Sequence, residues 1–317
     1  MRAVVYDRYG SPEDLSVAEA PKPSPSANQV LIRVVATSVN LTDWEALRGS
    51  PFYARAGGLR TPAHRVLGSD IAGRVEAVGD GVTRFTVGDE VYGDNLDLMG
   101  GFAEYAAVPE SVLAHKPAGL TFAEASALPQ SGAIAVSGTA GLKPGQRLLI
   151  VGAGGGSGSF AIQLAKSAGA HVTAVDNAGK LDFMRSLGAD EVLDYRSHDF
   201  TRGAQYDRVL DMVGGRSVFA YRRALARGGR YFFVGGTVRS LLRVVTVGAL
   251  LGALTGRRLG LLFVRLGPAT FGPLAEQCAA GDVQIHIDTT HPLDDVPAAL
   301  ARVGAGAVLG KAVIEIA

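Results

Sequence analysis

The chain has 317 residues, 47% hydrophobic and 19% charged, which is apolar material for about two domains and too much for a disordered chain. Thirty-one basic residues against thirty acidic ones leave a formal charge of +1, which excludes a strongly electrostatic nucleic-acid binder. The single cysteine, Cys278, excludes an intramolecular disulfide and any zinc site built from several cysteines.

The opening MRAVVYDRYG lacks the apolar core of a signal peptide, so a cytoplasmic, reducing location is expected. Arg2–Tyr6 and Val30–Ala36 are strand-length apolar runs separated by the proline-rich PKPSPSANQ. Val66–Val78 carries Gly68 and Gly73 and is followed by Gly79, the spacing of a bent, bulged strand, and Phe102–Val108 reads as another strand. Short strands with few long helices predict a β-barrel-like first domain. From Leu120 the pattern changes: Thr121 and Glu124 have the spacing of a capping box that opens a helix. Strand-like and helix-like segments then alternate: Arg147–Val151, Phe160–Ala168, His171–Val175, Lys180–Leu187, Glu191–Leu193, Arg208–Asp211, Ser217–Ala226 and Arg230–Val234. Such alternation predicts a doubly wound α/β domain on a parallel sheet. The uncharged run Val244–Gly256 has 13 residues, short of the roughly 20 a spanning helix needs. From Phe271 the character is mixed, ending in the strand-like Lys311–Ile316.

The strand Leu148–Val151 runs directly into Gly152-Ala-Gly-Gly-Gly-Ser-Gly158 and then a helix. A phosphate needs backbone N–H groups that can approach it and a helix N-terminus aimed at it, and only side chains this small permit both. The fingerprint is Ala153-x-Gly155-x-x-Gly158, with Gly156 inside it. Asp176 ends the next strand, 18 residues beyond Gly158, where an acidic group bonds the ribose diol and favours NAD(H). Its alternative role is a cap on the helix that begins near Lys180.

These segments resemble the medium-chain dehydrogenase/reductase superfamily, in its zinc-free quinone-oxidoreductase-like branch. The resemblance is carried by Val39-Asn-Leu-Thr-Asp-Trp44, Leu67-Gly-Ser-Asp-Ile-Ala-Gly73 continuing to Gly79, Phe85-Thr-Val-Gly-Asp-Glu-Val-Tyr-Gly93 and Gly101-Phe-Ala-Glu-Tyr105. Beyond the glycine loop it continues through Gln163-Leu-Ala-Lys166, Ser186-Leu-Gly-Ala-Asp190, Tyr206-Asp-Arg-Val-Leu-Asp211, His291-Pro-Leu293 and Gly310-Lys-Ala-Val313. It implies a GroES-like β-barrel domain over residues 1–118, completed by 268–317, and a Rossmann domain over 119–267. It also implies a homodimer.

In zinc-dependent relatives a Cys and a Gly-His-Glu motif hold the metal; here Asn40 and Gly68-Ser69-Asp70 stand there, so no zinc is expected. Without a Lewis acid, hydride transfer to an electron-poor quinone or α,β-unsaturated carbonyl fits better than alcohol oxidation. The resemblance places Asn40 and Asp43 toward nicotinamide and substrate, with Asn40 able to donate to the acceptor carbonyl. The plainer reading is that Thr42 and Asp43 cap a short helix over Trp44–Arg48. Tyr53 is a candidate proton donor, the alternatives being an ordinary surface or core aromatic, with solvent as the source of the proton. Lys180 and Tyr195 repeat the family's spacing around an adenosine 2′-phosphate, which favours NADP(H) against the cue from Asp176. The cofactor-binding set is Ala153, Gly155, Gly156, Gly158, Asp176, Lys180, Tyr195 and Gly235. Ile134 stands where relatives often have Thr, and the usual Lys-Asn pair near Arg265-Leu-Gly-Pro268 is missing.

Between Asp211 and Glu276 there is no acidic residue but ten Arg, and Arg239 and Arg243 lie one helical turn apart in the Leu- and Val-rich stretch Val238–Leu251. Such a segment lies on a membrane surface, moulds a site for a lipophilic anionic substrate, or is an interface or cleft-wall helix with solvated Arg. The leading functional reading is an NAD(P)H-dependent, zinc-independent reductase of quinones or enones. A redox sensor or partner-binding protein with little catalysis, and a zinc-dependent alcohol dehydrogenase, are the rivals.

Overall fold

A computed structural model of the chain describes residues 1–56 and 58–316. The chain forms two compact units, Met1–Ala133 with Arg265–Ala317, and Ile134–Val264. The sequence places these boundaries at 118/119 and 267/268. The first lies later because the short helix Phe122–Ser126 packs against strands of the barrel. Thr121 caps that helix as expected, accepting from the Glu124 N–H at 3.2 Å while Glu124 accepts from the Thr121 N–H at 2.8 Å.

In the first unit a sheet runs in the order 287–292, 311–315, 29–39, 70–78, 90–94, 113–115. Its organiser is the eleven-residue strand Gln29–Val39, rich in β-branched residues and almost wholly buried. One edge of it pairs with Asp70–Val78; the other meets Tyr105–Pro109 along its first half and Lys311–Glu315 along its second. Register shifts against Asp70–Val78 at Leu31/Ile32 and Val34/Ala36 bend it. Gly73 permits the close crossing: a Cβ there would meet the Arg33 carbonyl oxygen at 2.2 Å. The core joins Ile32, Leu47, Ile71 and Phe102 to Leu300 and Ile314 from the C-terminal segment, so the tail returns to the first domain. Two tail helices, Pro268–Ala279 and Val296–Gly304, occupy the stretch whose pattern reads as mixed.

The second unit is a six-stranded sheet in the order 191–194, 171–176, 147–151, 206–211, 225–233, 258–261, with every neighbouring pair parallel. This is the doubly wound order that places a ligand crevice where the strand order reverses, beside Arg147–Val151. The apolar stretch at 244–256 belongs to a helical run, Val238–Thr255, of 18 residues with mean hydropathy 1.5, the one helix among the described residues long and apolar enough to cross a membrane. A one-turn π-helical segment, Val244–Gly248, lies within it.

Candidate functional site

In the second unit, Arg147–Val151 ends at Gly152, whose φ of +85° turns the chain into the loop, and Gly155 is the N-cap of the helix Gly156–Ser167. A Cβ on Gly158 would lie 2.4 Å from the Ala153 carbonyl oxygen, so the first helical turn sits directly on the loop. On Gly155 a Cβ would meet nothing nearer than 3.7 Å. The loop is therefore tight toward its own helix and open on its other side, the cradle a pyrophosphate requires.

Asp176, at the end of His171–Asp176, accepts from the Gly154 N–H at 2.9 Å and from the Asn177 N–H at 2.8 Å. It does not cap the following helix; Asn177 does, accepting from the Gly179 N–H. Lys180 is buried against Gly154, its ammonium 3.8 Å from the Asp176 carboxylate. Tyr195 is exposed just beyond the neighbouring strand, its backbone N–H donating to the Asp176 carbonyl. Two cations that the sequence reading missed gather there: the Arg196 guanidinium stacks over the Tyr195 ring at 5.5 Å, and Arg216 donates to the Tyr195 carbonyl at 3.2 Å. Gly235 follows the strand Leu225–Phe233.

The first unit holds a buried polar centre at the ends of Gln29–Val39, Asp70–Val78 and Lys311–Glu315. Asn40 caps the helix Leu41–Arg48, which begins a turn earlier than expected, and Asp43 closes the capping box by accepting from the Asn40 N–H at 2.7 Å. Asp43 also accepts from the Gly68 N–H at 3.1 Å and so ties a second loop to the helix, whereas Thr42, expected as a cap, lies inside the first turn and donates to Gln130 Oε1 at 2.8 Å. The Asn40 amide is fully engaged: Nδ2 donates to Ser69 Oγ at 3.2 Å and Asp70 Oδ2 at 2.9 Å, and Oδ1 accepts from Lys311 Nζ at 2.5 Å. Lys311 also lies 3.4 Å from both Asp70 Oδ2 and Ser131 Oγ, and the backbone N–H of Gln130 donates to Asp70 Oδ1 at 3.0 Å. Asn40, Ser69 and Asp70, at the positions where the resemblance places zinc ligands and their neighbour, are thus held to one another and to an ammonium. Among the described residues no group of three or more His, Cys, Asp or Glu side chains is arranged to hold a metal.

Three carboxyls, Asp43, Asp70 and Asp94, share this centre with one ammonium, and burial dominates the acidity of Asp43 and Asp94. Burial pushes Asp43 up to about 7, opposed by its backbone donors. Burial and then the like charges of Asp70 and Asp43 push Asp94 well above the ordinary carboxylate range. Among the described residues neither Asp94 oxygen has a partner in strict hydrogen-bonding geometry, although the nearby Gln130 side chain opposes the shift. Burial lowers Lys311, against the pull of Asp70 and Asp43.

Replacing Asp94 by Asn is expected to raise the melting temperature at pH 8 and leave it unchanged near pH 4. The folded chain keeps this proton while the unfolded chain releases it above about pH 4, so each further pH unit costs the fold up to about 1.4 kcal/mol, which Asn avoids. Equal thermal shifts at both pH values would show that Asp94 titrates normally.

Tyr53 lies outside the hydrogen bonds of this centre. It sits on the turn Phe52–Arg55, is partly exposed, and its hydroxyl approaches Glu45 at 3.5 Å. Burial pushes the Glu45 carboxyl up to about 7, with the Tyr53 hydroxyl opposing. The sequence reading missed Glu45, Asp70, Asp94 and Lys311. The available signal was Lys311 itself, one charge leading the apolar strand Ala312-Val-Ile314.

A glycine-lined nucleotide loop on a parallel sheet, in a chain that also carries a largely antiparallel GroES-like sheet, is the construction of two-domain nicotinamide-dependent oxidoreductases. Residues 26–118 match the alcohol dehydrogenase GroES-like domain family, and residues 187–314 match the zinc-binding dehydrogenase family. A chloroplast envelope quinone oxidoreductase homolog of Arabidopsis thaliana is 32% identical over 99% of this chain and 98% of its own. The 2-methylene-furan-3-one reductase of Solanum lycopersicum is 40% identical over 68% of this chain and 57% of its own. The solved quinone oxidoreductase from Coxiella burnetii superposes with a TM-score of 0.90 at 28% identity, covering 100% of this chain and 99% of that one. The chain belongs to the medium-chain dehydrogenase/reductase superfamily, in its quinone-oxidoreductase-like branch.

Proposed function

We propose that the protein is an NAD(P)H-dependent, zinc-independent reductase of quinones or α,β-unsaturated carbonyls. The observation that carries the chemistry is the buried centre of the first unit, where Lys311 donates to Asn40 and lies beside Asp70 at the positions zinc would occupy in metal-dependent relatives. The nicotinamide, when bound, supplies hydride. Ala153, Gly155, Gly156, Gly158 and Gly235 would hold the dinucleotide, with Asp176, Lys180 and Tyr195 at the adenosine ribose. Asn40 is a positioning residue, since its amide hydrogens are spent on Ser69 and Asp70 rather than turned outward. The proton that completes reduction belongs to Glu45 and Tyr53, whose pair is partly exposed and, at Glu45, poised to titrate near neutrality.

The ribose end supports use of both cofactors. Asp176 suits a ribose diol, while Lys180, Arg196 and Arg216 supply the charge a 2′-phosphate needs. Asp176→Ser is expected to lower KM for NADPH and raise it for NADH, moving the ratio of kcat/KM by at least about tenfold (the equivalent of one hydrogen-bonded charge). An unchanged ratio would remove Asp176 from cofactor choice.

The same reading includes a reducing, cytoplasmic setting, supported by the one cysteine, and a homodimer, supported by the sheet-edge strand Arg258–Leu261. The test of the proposal is oxidation of NADH and NADPH followed at 340 nm with a simple quinone and an enone, alongside elemental analysis for zinc. Turnover without zinc is the expected result. Cofactor binding without turnover would favour the redox-sensor or partner-binding reading, and stoichiometric zinc the alcohol dehydrogenase reading.

A further inference from the structure

The helical run Val238–Thr255 is apolar on both sides. Its inner side buries Val244 and Gly248, with Leu241, Val247 and Leu251 packed on the sheet core beside Leu259. Its outer side, where a helix on a water-facing surface carries polar residues, presents Leu242, Val245, Leu250 and Leu254 at 56, 44, 62 and 74% exposure, together with Arg239 and Arg243. No acidic residue occurs anywhere from 212 to 275.

We propose that this outer face docks on the surface of an anionic lipid bilayer. An apolar strip flanked by arginines, with no carboxylate to repel phosphate headgroups, is the composition of a helix lying in the membrane interface. A second copy of the same face would bring two more arginines and no carboxylate from this segment to neutralise them, whereas anionic headgroups supply the opposite charge. The helix lies on the bilayer rather than crossing it, because it connects two parallel neighbours of one sheet, Leu225–Phe233 and Arg258–Leu261, and its inner side is already used. This inference does not depend on the acceptor or on catalysis.

The experiment is co-sedimentation of the full chain with vesicles of phosphatidylcholine containing about one third phosphatidylserine, against phosphatidylcholine alone. The expected result is pelleting with the anionic vesicles at low salt, release at about 0.5 M salt, and none with neutral ones. Arg239→Gln with Arg243→Gln should weaken partitioning about 30-fold, each arginine contributing roughly fivefold. Leu250→Ser with Leu254→Ser should weaken it at every salt concentration; both positions are exposed, and circular dichroism melts check that the variants fold. Absence of pelleting, equal pelleting with neutral vesicles, or indifference to both double variants overturns the proposal. So does a vesicle-free oligomer that Leu250→Ser with Leu254→Ser dissolves, which would show that a second copy covers the face.

Discussion

Replacing Lys311 by Met is expected to lower the unfolding free energy by about 3–5 kcal/mol, read as a shift of the urea midpoint at constant slope. The ammonium is buried, donates to Asn40 at 2.5 Å and lies 3.4 Å from Asp70. Met fills the volume but leaves the Asp70 charge without its counter-ion and the Asn40 carbonyl without a donor, and buried groups stripped of partners account for most of the cost. Lys311→Met combined with Asp70→Asn should recover part of the loss, because the second change removes the charge that the first orphans. Strictly additive losses would show that the two residues are not coupled. In protein kept folded at low temperature, Lys311→Met should reduce kcat/KM for the acceptor at least tenfold and leave the dissociation constant of the cofactor unchanged, since the nucleotide loop belongs to the other unit.

Two alanines in the glycine loop should separate room for the ligand from room for the fold. Gly158→Ala places a methyl group 2.4 Å from a backbone oxygen that cannot move without shifting the loop off the helix. It is expected to destabilise the chain by about 1–3 kcal/mol, the usual cost of overpacking, and to weaken cofactor binding with it. Gly155→Ala meets nothing nearer than 3.7 Å, and its φ of −93° suits any residue, so the melting temperature should not change. Its methyl group instead occupies the open side of the loop, and the cofactor dissociation constant should rise at least tenfold. Urea unfolding and cofactor titration on the same samples decide the matter. Loss of stability at 155, or unchanged affinity there, would mean that the open side is not the pyrophosphate cradle.

What was legible in the sequence was what neighbours in the chain dictate. The capping box at Thr121, the strand–loop–helix at 147–167 and the order of alternating elements all follow from short-range sterics and periodicity, and the structure reproduces them. A capping role for Asp43 was visible too, but ahead of a helix starting at Trp44, whereas the helix begins at Leu41 and Asn40 precedes it. Arg196 and Arg216 were not, because their arrangement around Tyr195 depends on which strands pair.

By itself, the sequence determined that this chain builds a parallel-sheet nucleotide domain and a barrel-like domain, and that Asn40 and Ser69 stand where the family's zinc-dependent members have metal ligands. Tertiary structure alone decided where the charges reside. Lys311 reaches Asn40 across 271 positions of sequence, and Asp94 joins Asp43 and Asp70 only because three strands end together. It also decided that the outer side of Val238–Thr255 faces solvent. The physical reason is the same in each case. Dihedral preference and hydrophobic period act within a few residues, whereas desolvation of a charge and the covering of an apolar face depend on what the folded chain brings from far away.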